Sequence, residues 1–439
     1  MIKLIRDSFL KACLVTIFFA IVHLLYNIEF VRSNIEDIGF DITNKMILET
    51  REQNTSSPKV ILFGFDDIYM KNEGLFDEDN KTNYGYIFPR DKIAKFINDI
   101  DELCQEIEPE NIPKALFIDY DFSYTSIPYG KELSKEDKIL INVLKKERPY
   151  VVLLPKTETG NFIEQSKDKN IQKLIVEQKI IFVSVVFLTS SDGATRRYLS
   201  YKTYKNNRKK KLYLNVDIAL WQLARNNTVD VSLAQEQFMK HDIVSNRFFL
   251  KSYKNKSIED SCQTSQSYWS NYIMYSAYCS IFDIVEEDFA GSILMLGGTY
   301  SENIDDFKIL DVVGDSRLKG VELHANTLMS IFHLDRQLML LKFWPSIILV
   351  FSLFFLINLL IGFIFLLYFI DNKKLHFIIV LTVTVAIMIT ISIYLLISKS
   401  IWFNWFVPVV IYEIFDILSH IKLKIDRFQK RKSDEIIST

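Results

Sequence analysis

Residues able to do chemistry collect in this sequence where apolar runs stop. VILFGF (Val60–Phe65) runs into Asp66 and Asp67, ALFI into Asp119 and Asp121, and SILMLGG (Ser292–Gly298) into Thr299 and the pair Asp305-Asp306. Such runs read as buried strands, and in open α/β sheets ligands bind beyond the carboxyl ends of the strands. Carboxylates gathered there can meet a cation, a cationic ligand, or Arg90 and Arg196. Taken singly they have a plainer use, since aspartate after a strand caps a turn or the next helix. GVELHAN adds His324 and Asn326 at a helix start after Gly320, with Glu322 close by. One histidine without a second ligand at metal spacing reads first as a hydrogen-bonded structural group, so no metal is assigned. Asp66, Asp67, Arg90, Asp119, Asp121, Arg196, Asp305, His324 and Asn326 form the candidate ligand-binding set. An arginine of the Arg196-Arg197 pair bonded to Asp119 or Asp121 would be a structural salt bridge.

No HExxH, CxxC pair, GxSxG elbow, Walker A or GxGxxG turn occurs, so no catalytic residue or cofactor is expected and the chain reads as a non-enzyme. Gly297-Gly298-Thr299 offers backbone N–H groups to an anion only weakly. Asp77, Asp79 and Asn83 resemble a calcium loop, but Lys81 and Thr82 stand where it needs an oxygen ligand and a glycine. The basic run Arg208–Lys211 reads as a solvated hairpin tip, and a net charge of −2 gives no reason to expect nucleic acid. Cys262 and Cys279 flank an aromatic segment and are a candidate disulfide; Cys104 would be buried and free.

The elements that must hold these residues divide the 439-residue chain sharply. With 49% apolar and 24% charged residues, polar and very apolar regions coexist. Stretches at 12–28, 343–370, 375–398 and 401–421 are long and apolar enough for membrane helices. Trp344, Trp402 and Trp405 stand near helix ends, where indoles favour the membrane interface. Lys and Arg concentrate in 1–11, at Lys373-Lys374 and in the tail 422–439, which places both termini in the cytoplasm and residues 29–342 outside. Glu413 and Asp416 fall inside the last stretch and are candidates for helix packing, transmembrane coupling or partner contact. Between the first and second stretches, apolar runs alternate with amphipathic segments. Asp91 is a candidate cap for a helix presenting Ile93, Phe96, Ile97, Ile100 and Leu103, and Ser134 with Asp137 opens another as a variant capping box. The expected fold is an α/β extracytoplasmic domain with a mixed, largely parallel sheet, plus four transmembrane α-helices.

Six ordered blocks carry a family resemblance: FGFDDIYM (Phe63–Met70), IFPRDKIAKFINDI (Ile87–Ile100), PKALFIDYDFS (Pro113–Ser123), SSDGATRRYLSY (Ser190–Tyr201), AGSILMLGGTYSENIDDF (Ala290–Phe307) and LKGVELHANTLMSIF (Leu318–Phe332). Together they resemble the CHASE2 domain, a bacterial extracytoplasmic sensory module, with three spans behind it as in that family. The resemblance implies an input domain in the periplasm or outside, on the bacterial inner membrane, usually ahead of a cytoplasmic output domain. Here only the tail to Thr439 follows the spans, and a tryptophan-rich loop before Pro89-Arg90 is lacking. The expectation is a membrane-anchored sensor or receptor subunit that binds an unidentified extracytoplasmic ligand and signals to a separate signalling or effector protein. It sits in the lipid bilayer, with homo-oligomerisation open. A structural subunit of an envelope complex and an oligomeric pore-forming effector are the alternatives.

Overall fold

The computed structural model describes residues 2–25, 37, 39–43, 58–79, 81–84, 87–125, 133–190, 193–206, 209–238, 245–247, 253–254, 263–267, 272–279, 281, 286–303, 305–311, 314–334, 339–367, 373–399, 401–414 and 418. The chain divides into two compact units: residues 51–189 with 193–337, and residues 1–50 with 190–192 and 338–439.

The first unit is built on the apolar runs. Strands β1 (Val60–Phe65), β2 (Ala115–Asp119), β3 (Val151–Pro155) and β4 (Ile180–Val183) come early in the chain. The small strands β5 (Phe187–Thr189), β6 (Thr195–Leu199), β7 (Tyr201–Asn206), β8 (Lys209–Leu214) and β9 (Ser245–Arg247) follow. Then come β10 (Tyr253–Lys254), β11 (Gln263–Ser267), β12 (Tyr272–Ser276) and β13 (Ile293–Gly298). The main sheet runs β10-β11-β12-β1-β13-β2-β3-β4. From β12 to β4 its neighbours pair parallel, and the two edge pairings at β10 and β11 are antiparallel. The mixed, largely parallel sheet is therefore as expected. Every residue of β1 and β13 is buried, because helices cover both faces. Each fully buried Val, Leu, Ile or Phe contributes about 1.5–3 kcal/mol, so these central strands anchor the unit.

On one face lie α1 (Asp67–Asn72) at the end of β1, α2 (Arg90–Glu106), α3 (Lys135–Leu144) and α4 (Lys169–Val176), packed against Ile61, Phe63, Leu116 and Leu294. The expected apolar face of α2 is buried: Ile93, Phe96, Ile97, Ile100 and Leu103. Its cap is Pro89 rather than Asp91, which stands in the first turn facing the positive end of the helix dipole. The capping box of α3 is complete: Asp137 N donates to Ser134 Oγ at 2.9 Å and Ser134 N to the Asp137 carboxylate at 3.1 Å. The other face carries α5 (Val216–Asn226) and α6 (Gly320–Leu334), packed on Val60, Leu62, Phe117 and Met295. A hairpin of β14 (Asp306–Asp311) and β15 (Gly314–Lys319) leads directly into α6, and Lys209–Lys211 of the basic run open β8, paired with the end of β7 in another hairpin.

The second unit is helical. Three helices are long and apolar enough to cross a membrane: Ile2–Leu24, α7 (Phe343–Leu367) and the Ile378–Lys399 part of α8 (Lys373–Lys399). Ile2–Leu24 includes the basic flank expected to precede the span. It runs antiparallel to α7, with Phe9 against Phe351 at 5.7 Å and His23 against Phe343 at 5.4 Å. Leu4 occupies the space left by Gly362, where a Cβ would lie 2.3 Å from Leu4 Cδ1, a close approach of the kind small residues permit between membrane helices.

The fourth expected span, 401–421, differs. Ile401–Trp402 is a short strand, β17, paired with β16 (Met339–Leu340), and helix begins only at 406 and is described to 414. Asn404 explains the late start, because its Oδ1 accepts from Val407 N as a helix cap. Trp402 and Trp405 are both buried. Trp405 Nε1 donates to Thr43 Oγ1 at 2.8 Å, and Trp402 stacks edge-on with Phe40 at 5.4 Å. Trp344 alone of the three is exposed.

One carboxylate ties α2 to the segment between α3 and β3. Asp101 accepts from Arg148 Nε and Nη2, both at 2.8 Å, and from Tyr150 OH at 2.7 Å. Arg148 is buried, and it also donates to the carbonyls of Val143 and Leu144. Asp101→Ala leaves that guanidinium without its counter-charge. The expected loss is about 3 kcal/mol, read as a lowered denaturation midpoint of the purified chain.

Candidate functional site

Neighbouring strands β1 and β13 send their helices to opposite faces of the sheet, α2 to one and α6 to the other. This is the kind of place where an open α/β sheet leaves a crevice at its carboxyl edge. Here the crevice is filled. Thr299 N and Tyr300 N both donate to Phe65 O, at 3.0 and 3.1 Å, so these N–H groups of the Gly297-Gly298-Thr299 turn are not offered to an anion. Phe65, Phe88 and Tyr120 stack over the edge with centroids 4.8 and 4.7 Å apart, and Tyr84 and Tyr300 join their hydroxyls at 3.0 Å. Beneath this cover the hydroxyls of Tyr120 and Thr299 are buried without a hydrogen-bond partner. Gly297 lets α6 come close: a Cβ there would lie 2.6 Å from Val321 Cβ.

The strand-end carboxylates do not form one cluster. Asp66 caps α1, accepting from Tyr69 N at 2.9 Å and Ser276 Oγ at 2.8 Å; burial raises its pKa above the usual range despite those bonds. Asp67 reaches the loop after β13, accepting from Ser301 N at 2.7 Å. Asp121 turns back to Ser123 N, also at 2.7 Å. Arg90 is buried over the Phe122 ring at 4.6 Å and donates to the Asp121 backbone carbonyl rather than to a carboxylate; burial lowers its pKa to about 10. Arg196 is buried on β6 and pairs with neither Asp119 nor Asp121, so it does not form the expected bridge. The Asp77–Asn83 segment is a turn in which Asp77 accepts from Asp79 N and Lys81 N. Cys279 is disulfide-bonded, Cys13 and Cys104 are free, and Cys262 lies outside the described residues. Glu413 is exposed on the 406–414 helix, and Asp416 lies outside the described residues.

What the fold does assemble lies around α6. Lys319 N donates to Glu322 Oε2 at 2.8 Å, half of a capping box at the helix start. His324 follows, 2% exposed, with Nδ1 at 3.1 and 3.2 Å from the two oxygens of Asp217, which is 0% exposed on α5. Phe187 and Phe117 close round the imidazole at 4.5 and 5.5 Å. Half-buried Asp119, at the end of β2, and Asp305, resting over the bare Cα of Gly320, bring further negative charge to bear on His324. Asn326 is buried on the same helix. Of the nine candidate ligand-binding residues, the structure therefore groups Asp119, Asp305 and His324. Asn326, two residues on, falls on another side of the helix, and the other five are in capping, packing or hydrogen bonds elsewhere.

Burial lowers His324, but Asp217, Asp119 and Asp305 outweigh it, so the imidazole holds its proton above the usual histidine range. Burial raises Asp217 against the opposing pull of His324. Burial, with Asp305 and Asp217 adding to it, carries Asp119 up to about 7, and burial also carries Glu322 up to about 7. No group of three His, Cys, Asp or Glu among the described residues is placed to hold a metal ion.

Asp217 is a site residue outside the nine candidates. Its signal was present: a lone carboxylate within Val216–Ala224, a stretch of α5 buried throughout. A charge in such a stretch needs a buried partner. A cleft of about 480 Å³ beside the ends of β1 and β12 also lies outside them; Tyr69, Glu73, Lys92, Asp99 and Tyr278 line it.

Among known families, the CHASE2 domain model matches residues 15–363. No curated protein and no solved structure matches the chain.

Asp119, Glu322 and His324 all titrate upward in the folded unit, so the folded state binds more protons than the unfolded one from the ordinary carboxylate range up to about pH 7 for the acids, and above the ordinary histidine range for His324. For the acids, stability falls as pH rises toward their folded values; for His324, its contribution is full below the ordinary histidine range and lost above it. The lowered carboxylates, Glu73 and Glu164, lose their contributions only in acid, below that window. The thermal midpoint of the detergent-purified chain should therefore fall across this window. The expected slope is on the order of 1 kcal/mol per pH unit, and Asp119→Asn should flatten it.

Proposed function

This chain belongs to the CHASE2 domain family, and on that footing we propose that it is a membrane-anchored sensor or receptor subunit. Its α/β unit lies outside a bacterial inner membrane, both termini are cytoplasmic, and its spans carry a signal to a separate partner protein. What supports the reading is connectivity. The helix that bears His324, α6, ends at Leu334, and only residues 335–342 separate it from α7, a helix fit to cross the membrane. A ligand that prefers one setting of α6 would bias α7 with it, provided that it binds the two settings unequally.

Charge supports the orientation. In the antiparallel pair of Ile2–Leu24 with α7, Lys3 and Arg6 come towards the end where α7 finishes, shortly before Lys373 and Lys374. Lys and Arg favour the cytoplasmic side of short segments. Exposed Glu413 supports a partner in the membrane, because a carboxylate on a membrane helix is stable when another helix, or water, meets it.

Alkaline phosphatase joined near residue 200 should be active, and a fluorescent protein that matures only in the cytosol should stay dark at the same point; the reverse pattern overturns the reading. Glu413→Leu should remove the partner from the complex isolated in gentle detergent while the chain keeps its thermal midpoint.

A further inference from the structure

The contact between α5 and α6 contains an ion pair that needs one proton to exist. With His324 protonated, Asp217 has a counter-charge at 3.1 Å. With His324 neutral, Asp217 becomes a carboxylate wholly removed from water, with Asp119 and Asp305 adding like charge around the imidazole. A buried charge that loses its partner is strongly destabilising, so the packing must then loosen or admit water.

The surroundings do not substitute for that proton. Strands β1 and β13, on which α6 packs, contain no ionisable residue, and neither does β5, which supplies Phe187. From α5 comes Asp217, from β2 Asp119, and from the loop after β13 Asp305. On α6 itself stands Glu322, held by Lys319 N, while Lys319 and Asp306 of the hairpin act on Glu322 and Asp305. Arg196 and Arg197 of β6 are buried, and each is engaged with a partner. The charges that act on His324 are thus all carboxylates: buried Asp217, half-buried Asp119 and exposed Asp305.

We propose that His324 and Asp217, with Asp119 and Asp305 facing them, form a proton-binding site that ties α6 to α5, so that proton uptake sets the last helix before α7. This deepens the sensory reading by naming an input, the acidity of the medium around the α/β unit, and rests on that reading only for the consequence in the membrane. The proton enters on the imidazole and leaves to water; no other bond changes.

Hydrogen–deuterium exchange of the full chain in detergent, corrected for the intrinsic pH dependence of exchange, tests it. Peptides covering 320–334 should lose protection about tenfold for each pH unit above the midpoint of the transition, while those covering the capping box of α3 hold theirs. His324→Gln combined with Asp217→Asn replaces the ion pair by two neutral amides, and protection of 320–334 should then be the same at pH 6 and pH 8. Asp119→Asn leaves the pair but removes a facing charge, so the midpoint should move to lower pH. The proposal is overturned by a wild-type α6 whose protection ignores pH, or by a folded double variant that keeps the wild-type response. Should the double variant fail to fold, an unmoved midpoint in Asp119→Asn overturns it. Failure of the sensory reading looks different: the reporter fusions would reverse while the exchange behaviour of α6 stayed as expected.

Discussion

Removing a charge from water is costly in an α/β core, and this chain does so at the contact between two helices. Asp217 on α5 has no exposed surface, and His324 on α6 compensates it at 3.1 Å. The pair lies on the face of the sheet where Gly297 lets α6 approach β13, so close packing and charge compensation coincide. Apolar burial alone would hold the helices together at any pH; the pair makes their contact conditional on one proton.

That arrangement changes the meaning of the carboxyl edge. Parallel sheets usually leave a crevice where neighbouring strands send helices to opposite faces. Here aromatic rings and the Thr299 and Tyr300 N–H bonds to Phe65 occupy it, and Asp66 and Asp67 serve as cap and loop tie. The orphaned Tyr120 and Thr299 hydroxyls under the aromatic cover are the part of the edge whose polar groups stay unsatisfied.

The helical unit shows the same economy with polar groups. Thr43 takes the Trp405 indole N–H, Tyr412 OH lies 3.3 Å from Asn358 Oδ1, and Ser392 donates to the Phe403 carbonyl. Each is buried, and each replaces water that a membrane interior would not supply. The segment 39–43 and the turn before the 406–414 helix are therefore joined by one specific hydrogen bond as well as by apolar contact.

Much of this was legible in the residues. Near-continuous apolar runs became doubly buried parallel strands, Ser134 and Asp137 became a capping box, and long uncharged stretches became three helices of spanning length, because each depends on neighbours in sequence and on solvent alone. Where polar side chains met was not legible. Nothing near Asp217 in sequence announces His324, over a hundred residues away, and nothing near Trp405 announces Thr43. Asn404 was hidden inside an apolar run until its role as a helix cap appeared. Hydrophobic patterning is a local property that fixes which surfaces leave water; the pairing of buried charges is a matter of distance in space, and only the closed fold sets those distances.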